Sequence, residues 1–283
     1  MSIYEKIDKT YKKIWLGEQI KDDWLLLQTI LTGISRRKFA EGLSIQDDKF
    51  KVLDVGTGFG ALSIDIASQY RLIVEAIDID ESKIQVAQKI YNEIKSEEDF
   101  LGQINFKQQN VEHLDYPDNS FDLAVSRFVF QHLTNPVQAA KEIKRVLKQG
   151  GTVCIIDVDD SFTVEYPVDE SQEILKKALM ELQVINGGDR HIGRKLAGYL
   201  NEAGLEIQSV NIDTYAEFVR DPSLLLLQKL SFVKRFMAIE EEIIEHSLLT
   251  EKEFNYHFAN AYDHIQRVKF LNDSRFIVRA LKP

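Results

Sequence analysis

At 283 residues, with 44% hydrophobic and 28% charged residues, the chain has room for one large α/β domain with additions, or for two small ones. Its formal charge of −10 at pH 7 opposes nucleic acid, whose phosphate backbone asks for a basic stripe. A single cysteine, Cys154, rules out an internal disulfide framework and suits a reducing, cytoplasmic setting; no leader pattern and no long apolar run argue for export or a membrane span.

Residues 1–45 carry Ile3, Ile7 and Ile14, then Trp24, Leu25, Leu27 and Leu31, at helical spacing. They precede every strand and predict an N-terminal helical cap, in which Tyr4, Tyr11 and Trp15 either reach over a cleft or pack the cap down. The basic runs Lys12-Lys13 and Arg36-Arg37-Lys38 read as solvated helix faces. Residues 50–53 are apolar and β-branched, a short buried strand that ends at Asp54. The stretch VLDVGTGFG, residues 52–60, then sets Gly56, Gly58 and Gly60 where the backbone must turn sharply, and 61–69 has helical spacing. Strand, glycine-rich turn and helix start form the nucleotide-binding arrangement of open α/β sheets. Gly56, Gly58 and Ala61 also satisfy the dinucleotide spacing, so the glycines alone leave a nicotinamide cofactor open. Asp54, directly before the loop, disfavours a pyrophosphate and suits a ligand that carries an ammonium group.

A second strand over 71–78 ends in Asp78, about twenty residues after the loop, where a ribose-binding carboxylate belongs. Asp80 reads as the N-cap of a helix over 81–95. A third strand over 104–108 leads to Asn110 and Val111, with His113 expected toward solvent. The fourth, 121–126, delivers Ser126 and Arg127 to its carboxyl end, with His132 in the turn that follows. A helix over 137–148 is expected to stop at Gly150-Gly151, and a fifth strand spans 152–157. Beyond it Asp157, Asp159 and Asp160 are expected to face solvent or a cationic ligand, with no metal. Helices over 170–186 and 192–201 close at Gly187-Gly188 and Gly204, with Arg190 and His191 at the start of the second. A sixth strand covers 205–215. Residues 222–247 predict a helix, apolar at 224–227, that serves as a lid or a homodimer face. Thr250 and Glu253 form a capping box before the last helix, and 275–281 is the final strand.

VLDVGTGFG, the acid at position 78, SFDLAVSRFVFQHLTNP (120–136) and GGDRHIGRKLAGYLNEAGL (187–205) resemble the class I S-adenosylmethionine-dependent methyltransferases of the small-molecule type. The resemblance implies an α/β fold with a Rossmann-like seven-stranded sheet, mostly parallel, its last strand antiparallel beside the sixth, plus cap and lid helices. One structural domain then comprises a cap (1–45), a core with the cofactor motifs (46–160) and a remainder with strands six and seven and the lid (161–283). S-adenosylmethionine is the implied cofactor and S-adenosylhomocysteine its product. By the same likeness Asp54, Gly56, Thr57, Gly58 and Gly60 hold the methionine moiety and Asp78, followed by Ile79, the ribose. Asn110, where the family usually has Asp, and Val111 hold the adenine, and Ser126 offers a backbone contact near the methionine amino group. His132 and His191 are candidate bases, each with a structural reading beside it. The expected reaction is in-line methyl transfer to oxygen, nitrogen or carbon of a small acceptor enclosed by cap and lid, without nucleic acid or membrane. A protein or peptide methyltransferase, an NAD-linked oxidoreductase and a non-catalytic cofactor-binding protein are the alternatives.

Overall fold

The computed structural model describes residues 2–17, 20, 23–43, 45, 49–97, 101–218, 222–268 and 270–283. Three helices come first, α1 (Ile3–Gly17), α2 (Asp23–Leu31) and α3 (Gly33–Glu41). The alternating unit follows: β1 (Lys51–Val55), α4 (Ala61–Gln69), β2 (Ile73–Asp78), α5 (Glu81–Glu97), β3 (Gln103–Gln108), β4 (Phe121–Arg127), α6 (Pro136–Val146) and β5 (Leu147–Val158). Then come β6 (Val164–Tyr166), α7 (Glu170–Ile185), α8 (Leu196–Glu202), β7 (Glu206–Phe218), α9 (Pro222–Glu245), α10 (Glu251–Ile265) and β8 (Phe270–Leu281).

Strands β3, β2, β1, β4 and β5 lie side by side in that order and all parallel; β8 runs antiparallel to β5 and carries β7 on its other edge. This is the expected seven-stranded sheet with its last strand antiparallel beside the sixth. The short β6 is an addition. It pairs with Phe270 to Asn272 of β8 and so continues the edge that β5 occupies.

The inner strands read as unbroken apolar runs because both sheet faces are covered. Alternate residues feed two cores. Val52, Val74, Val125 and Cys154 pack with Ile64 and Ile66 of α4, Ile90 and Ile94 of α5, and Ile7, Tyr11 and Ile14 of the cap. Leu53, Val55, Ala124, Val153 and Ile155 face the other way, onto Ala140 and Ile143 of α6 and Leu196 and Leu200 of α8. A third cluster joins α7, α9 and α10 through Leu175, Leu179, Phe236, Ile243 and Phe254. These three helices share a core of their own, and α9 also lies against α2.

Two local expectations are corrected. Helix α6 ends at Val146, and Leu147 is already extended (φ −67°, ψ 142°), so Gly150-Gly151 does not cap it. Gly150 (φ +73°) instead turns the chain toward the end of β8: its N–H donates to Lys282 O (3.0 Å), and Lys282 N–H returns a bond to Gly151 O (2.9 Å). The pairing to a distant strand claims residues that local spacing assigns to the helix. Second, Arg36 and Arg37 are not a solvated face. Arg36 is 1% exposed and donates from Nε to Asp65 Oδ2 at 2.6 Å, and Asp65 is itself fully buried on α4. Arg37 spans Asp65 and Asp8, so the basic run clamps the cap onto the helix behind the glycine loop. Lys12 and Lys13 do stay exposed.

Candidate active site

Between β1 and α4 the chain passes through three left-handed glycines, Gly56 (φ +68°), Gly58 (φ +55°) and Gly60 (φ +79°). They are needed for different reasons. A Cβ on Gly56 would stand 2.3 Å from Val129 Cγ2, and one on Gly60 2.9 Å from Phe106 Cε1, so both let packed side chains approach. A Cβ on Gly58 would meet nothing within 4 Å, so this glycine turns bare backbone toward open space.

The loop is tied down from beneath. Asp54 is buried, and its Oδ2 accepts from Thr57 Oγ1 (2.8 Å) and Ser63 Oγ (2.6 Å). Burial pushes its carboxyl up to about 6, against the pull of those two hydroxyls. Thr57 N–H donates to Ile77 O (2.8 Å), and Tyr11 of the cap donates its hydroxyl to Phe59 O (2.9 Å). Of the three cap aromatics only Tyr11 is tied to the loop in this way. Tyr4 lies under the Arg37 guanidinium, 4.6 Å away, and Trp15 is half-buried against the cap core.

Asp78 is positioned by two backbone amides. Gly58 N–H donates to its Oδ2 (2.8 Å) and Asp80 N–H to its Oδ1 (3.0 Å). Each oxygen keeps lone-pair capacity for another donor, so the carboxylate presents a bidentate acceptor next to the bare face of Gly58. Ile79 beside it is 67% exposed, an apolar surface at the sheet's carboxyl edge. Asp80 caps α5 as expected, its Oδ1 accepting from Ser82 N–H (2.9 Å). Asn110 is exposed; its Oδ1 accepts from Glu112 N–H (2.9 Å), which orients the amide. Val111 is buried among the residues that pack under this turn. His113 is exposed. Ser126 is fully buried, its Oγ 3.4 Å from Val55 O between β4 and β1. The fold thus brings Asp54, the glycine loop, Asp78, Ile79 and Ser126 to the carboxyl ends of adjacent parallel strands, where open α/β sheets bind ligands.

A second group lies over the ends of β4 and β5. Phe128 has φ +63°, a strained conformation for an aromatic residue, in the turn that carries His132. His132 is exposed, and its Nδ1 is 2.8 Å from Gln183 Nε2. Gln183 Nε2 also donates to Gln131 O, so Nδ1 is the acceptor and the imidazole proton sits on Nε2. Desolvation, with Arg190 and Arg235 nearby, lowers its pKa to about 4. The ring is therefore neutral near pH 7 and offers an N–H donor, with its basic nitrogen already engaged. His191 starts a single 3-10 turn, held through its backbone N–H to Asp189 Oδ1 (2.8 Å).

The three acids at the end of β5 and just beyond it, expected to face solvent or a cationic ligand, are held by protein partners instead. Asp157 and Asp159 are fully buried. Asp157 accepts from Gln131 N–H (3.2 Å) and Val158 N–H (2.8 Å), and burial pushes its carboxyl up to about 7. Asp159 pairs with Arg194, and Asp160 takes a two-pronged bond from Arg190, Nε and Nη2 each at 2.8 Å. Arg190 completes its set with Gln131 Oε1. Sequence reasoning placed Arg190 here but saw neither its partner nor the role of Gln131; the signal available was the repeated acid, whose arginines lie in another segment. Among the described residues, no cluster of His, Cys, Asp or Glu could hold a metal ion, and no helix is long and apolar enough to cross a membrane.

Residues 46–208 match the family model described as a methyltransferase domain. An uncharacterized methyltransferase of Schizosaccharomyces pombe is 27% identical over 57% of this chain and 58% of its own length. A ubiquinone/menaquinone biosynthesis C-methyltransferase of Hydrogenovibrio crunogenus is 33% identical over 38% of this chain and 41% of its own length. The matches therefore span only about half the length of these relatives. Among solved structures, the YcgJ protein of Bacillus subtilis superposes with a TM-score of 0.55 at 18% identity, covering 88% of this chain and 98% of that one, a likeness of fold.

Proposed function

The chain belongs to the methyltransferase-domain family, the class I S-adenosylmethionine-dependent methyltransferases, and on that premise we propose that it moves the methyl group of S-adenosylmethionine to a small-molecule acceptor. The observation that carries the reading is the pairing of Gly58 with Asp78. Bare backbone facing open space stands beside a carboxylate whose two oxygens are aimed by backbone amides. This pairing fits a nucleoside: the carboxylate accepts from two ribose hydroxyls, and exposed Ile79 offers a flat apolar contact to the base. Asn110 and the Val111 backbone then serve the adenine edge, and Gly56 to Gly60 with Ser126 the methionine end. Asp54 acts by bracing the loop through Thr57 and Ser63.

The bound cofactor supplies an activated methyl on a good leaving group, so the chain's own work is alignment and exclusion of water. In this reading the cap (1–45) and the lid helices within 161–283 enclose the acceptor beside the strand ends of the core (46–160). His132 contributes its Nε2–H as a hydrogen-bond donor to the acceptor, and His191 stands at the edge of the same space. Cys154 is left out of the chemistry, because it is buried and its thiol is pushed up to about 11. The biosynthetic name of the Hydrogenovibrio relative and the acidic surface support a small acceptor over RNA or a membrane. The transferred-to atom, whether oxygen, nitrogen or carbon, belongs to the acceptor screen.

Calorimetric titration with S-adenosylmethionine and S-adenosylhomocysteine, with NAD as control, tests the reading. Binding of the first two and not NAD is expected. Asp78→Ala is expected to weaken S-adenosylhomocysteine binding about 10- to 100-fold, the value of hydrogen bonds to a charged partner. Binding of NAD alone, or unchanged affinity in a folded Asp78→Ala protein, overturns it.

A further inference from the structure

Around the space above β4 and β5 several charged groups pair with one another. Arg190 is saturated by Asp160 and Gln131, Arg194 is paired with Asp159, and on the facing helices Lys234 of α9 is paired with Asp23 of α2. Arg235, the next residue on α9, makes no hydrogen bond or ion pair among the described residues. Its guanidinium is half-buried over the ring of Trp24 from the cap, 5.5 Å from the centroid. The charges it senses are Arg190 and Asp160, which already neutralise each other, and desolvation with the repulsion of Arg190 lowers it to about 9. His132, uncharged and presenting Nε2–H, is close enough for the two arginines to disfavour its protonation.

A half-buried cation beside a like charge, with no counter-charge of its own, is a costly arrangement unless an anion completes it. The guanidinium fork matches a planar carboxylate in shape, and the stacking on Trp24 holds its plane. Its acidic neighbour Asp160 is already taken by Arg190, so Arg235 carries a positive charge with no counter-ion among the described residues. We propose that Arg235 is the anchor for a carboxylate on the methyl acceptor, so that the substrates are small carboxylic acids held between cap and lid. This rests on the methyltransferase reading and names the acceptor class for it.

The test uses matched acid and amide probes, phenylacetate against phenylacetamide and glycine against glycinamide, with benzyl phosphate as a dianionic control. Each is titrated into the full-length protein with and without S-adenosylhomocysteine. Wild type is expected to bind the acid at least about tenfold tighter than its amide. That preference is expected to fall below about twofold in Arg235→Gln and to survive in part in Arg235→Lys, with S-adenosylhomocysteine affinity unchanged in both. Without an acid, Arg235→Gln is also expected to melt above wild type, because it removes the uncompensated cation, and saturating phenylacetate is expected to reverse that order.

Acids that bind no tighter than amides, including no binding by either, overturn the proposal. So does a preference that survives in Arg235→Gln, or stronger binding of benzyl phosphate than of phenylacetate. Failure of S-adenosylhomocysteine to bind instead sinks the methyltransferase reading, and the acid preference of the protein without it is read separately.

Discussion

One methyl group added at Gly56 or at Gly58 is expected to fail in two different ways. Both positions are left-handed, which costs an alanine about 1 kcal/mol. At Gly56 the added Cβ also strikes Val129 at 2.3 Å, so Gly56→Ala is expected to lower stability by several kcal/mol, read as a large drop in the urea midpoint. At Gly58 the Cβ enters open space, so Gly58→Ala is expected to fold with only the backbone cost and to lose cofactor affinity, because the methyl occupies the ligand's approach. A Gly58→Ala protein that binds S-adenosylhomocysteine like wild type would show that the open side is not the ligand side. The three glycines look alike in VLDVGTGFG. Their division of labour depends on Val129 and Phe106, which arrive from other segments.

Between elements, the joint that matters most is α3 on α4. Arg36 and Asp65 form an ion pair with side chains 2% and 0% exposed, 29 residues apart in sequence. Removing Arg36 leaves the buried Asp65 with only the longer contact from Arg37 (3.4 Å), so Arg36→Met is expected to cost about 3 kcal/mol in chemical denaturation. Replacing both, in Arg36→Met with Asp65→Leu, is expected to recover most of that loss, since an apolar pair of similar size avoids the desolvation of two ions. If the double variant is no better than the single one, the joint owes its strength to hydrogen bonds such as Arg36 Nη1 to Thr29 O rather than to charge pairing. Apart from the short β6, the helices and strands were legible from period and punctuation. The capping box at Thr250 and Glu253, the cap at Asp80 and the β-branched inner strands are all set within a few residues. The end of α6 was not, because its last turn competes with pairing to Lys282 at the far end of the chain.

For the molecule as a whole, two buried carboxyls set a pH dependence of stability. Asp54 and Asp157 rise from 3.8 to about 6 and about 7 on folding. The folded state thus holds these protons where the unfolded chain has released them. Their contribution favours folding at pH below about 4 and is lost as pH rises through 6 and 7. His132, lowered from 6.5 to about 4, works in the opposite sense and favours folding increasingly as pH rises through that interval. Comparing variants at fixed pH separates them: Asp157→Asn is expected to gain on wild type by on the order of 1 kcal/mol or more between pH 5 and pH 8 in urea unfolding. A gap that does not widen with pH would mean that Asp157 is ionised in the folded protein throughout.

The amino-acid sequence by itself determined the elements, the glycine turn, the acids at the strand ends and the family they belong to. Each of these is governed by forces that act over a few residues: backbone sterics at φ, the apolar period, and side chains that cap neighbouring amides. The tertiary structure alone decided which face of the loop is open, and that Arg36 is buried. It also decided that Asp157 and Asp159 are enclosed, and that Arg190 saturates Asp160 while Arg235 is left over Trp24. Those outcomes turn on charge and packing between segments as far apart as Gln131 and Arg190, or Trp24 and Arg235. A charged residue's identity states that it needs a partner, and only the fold states which one it meets or that it meets none.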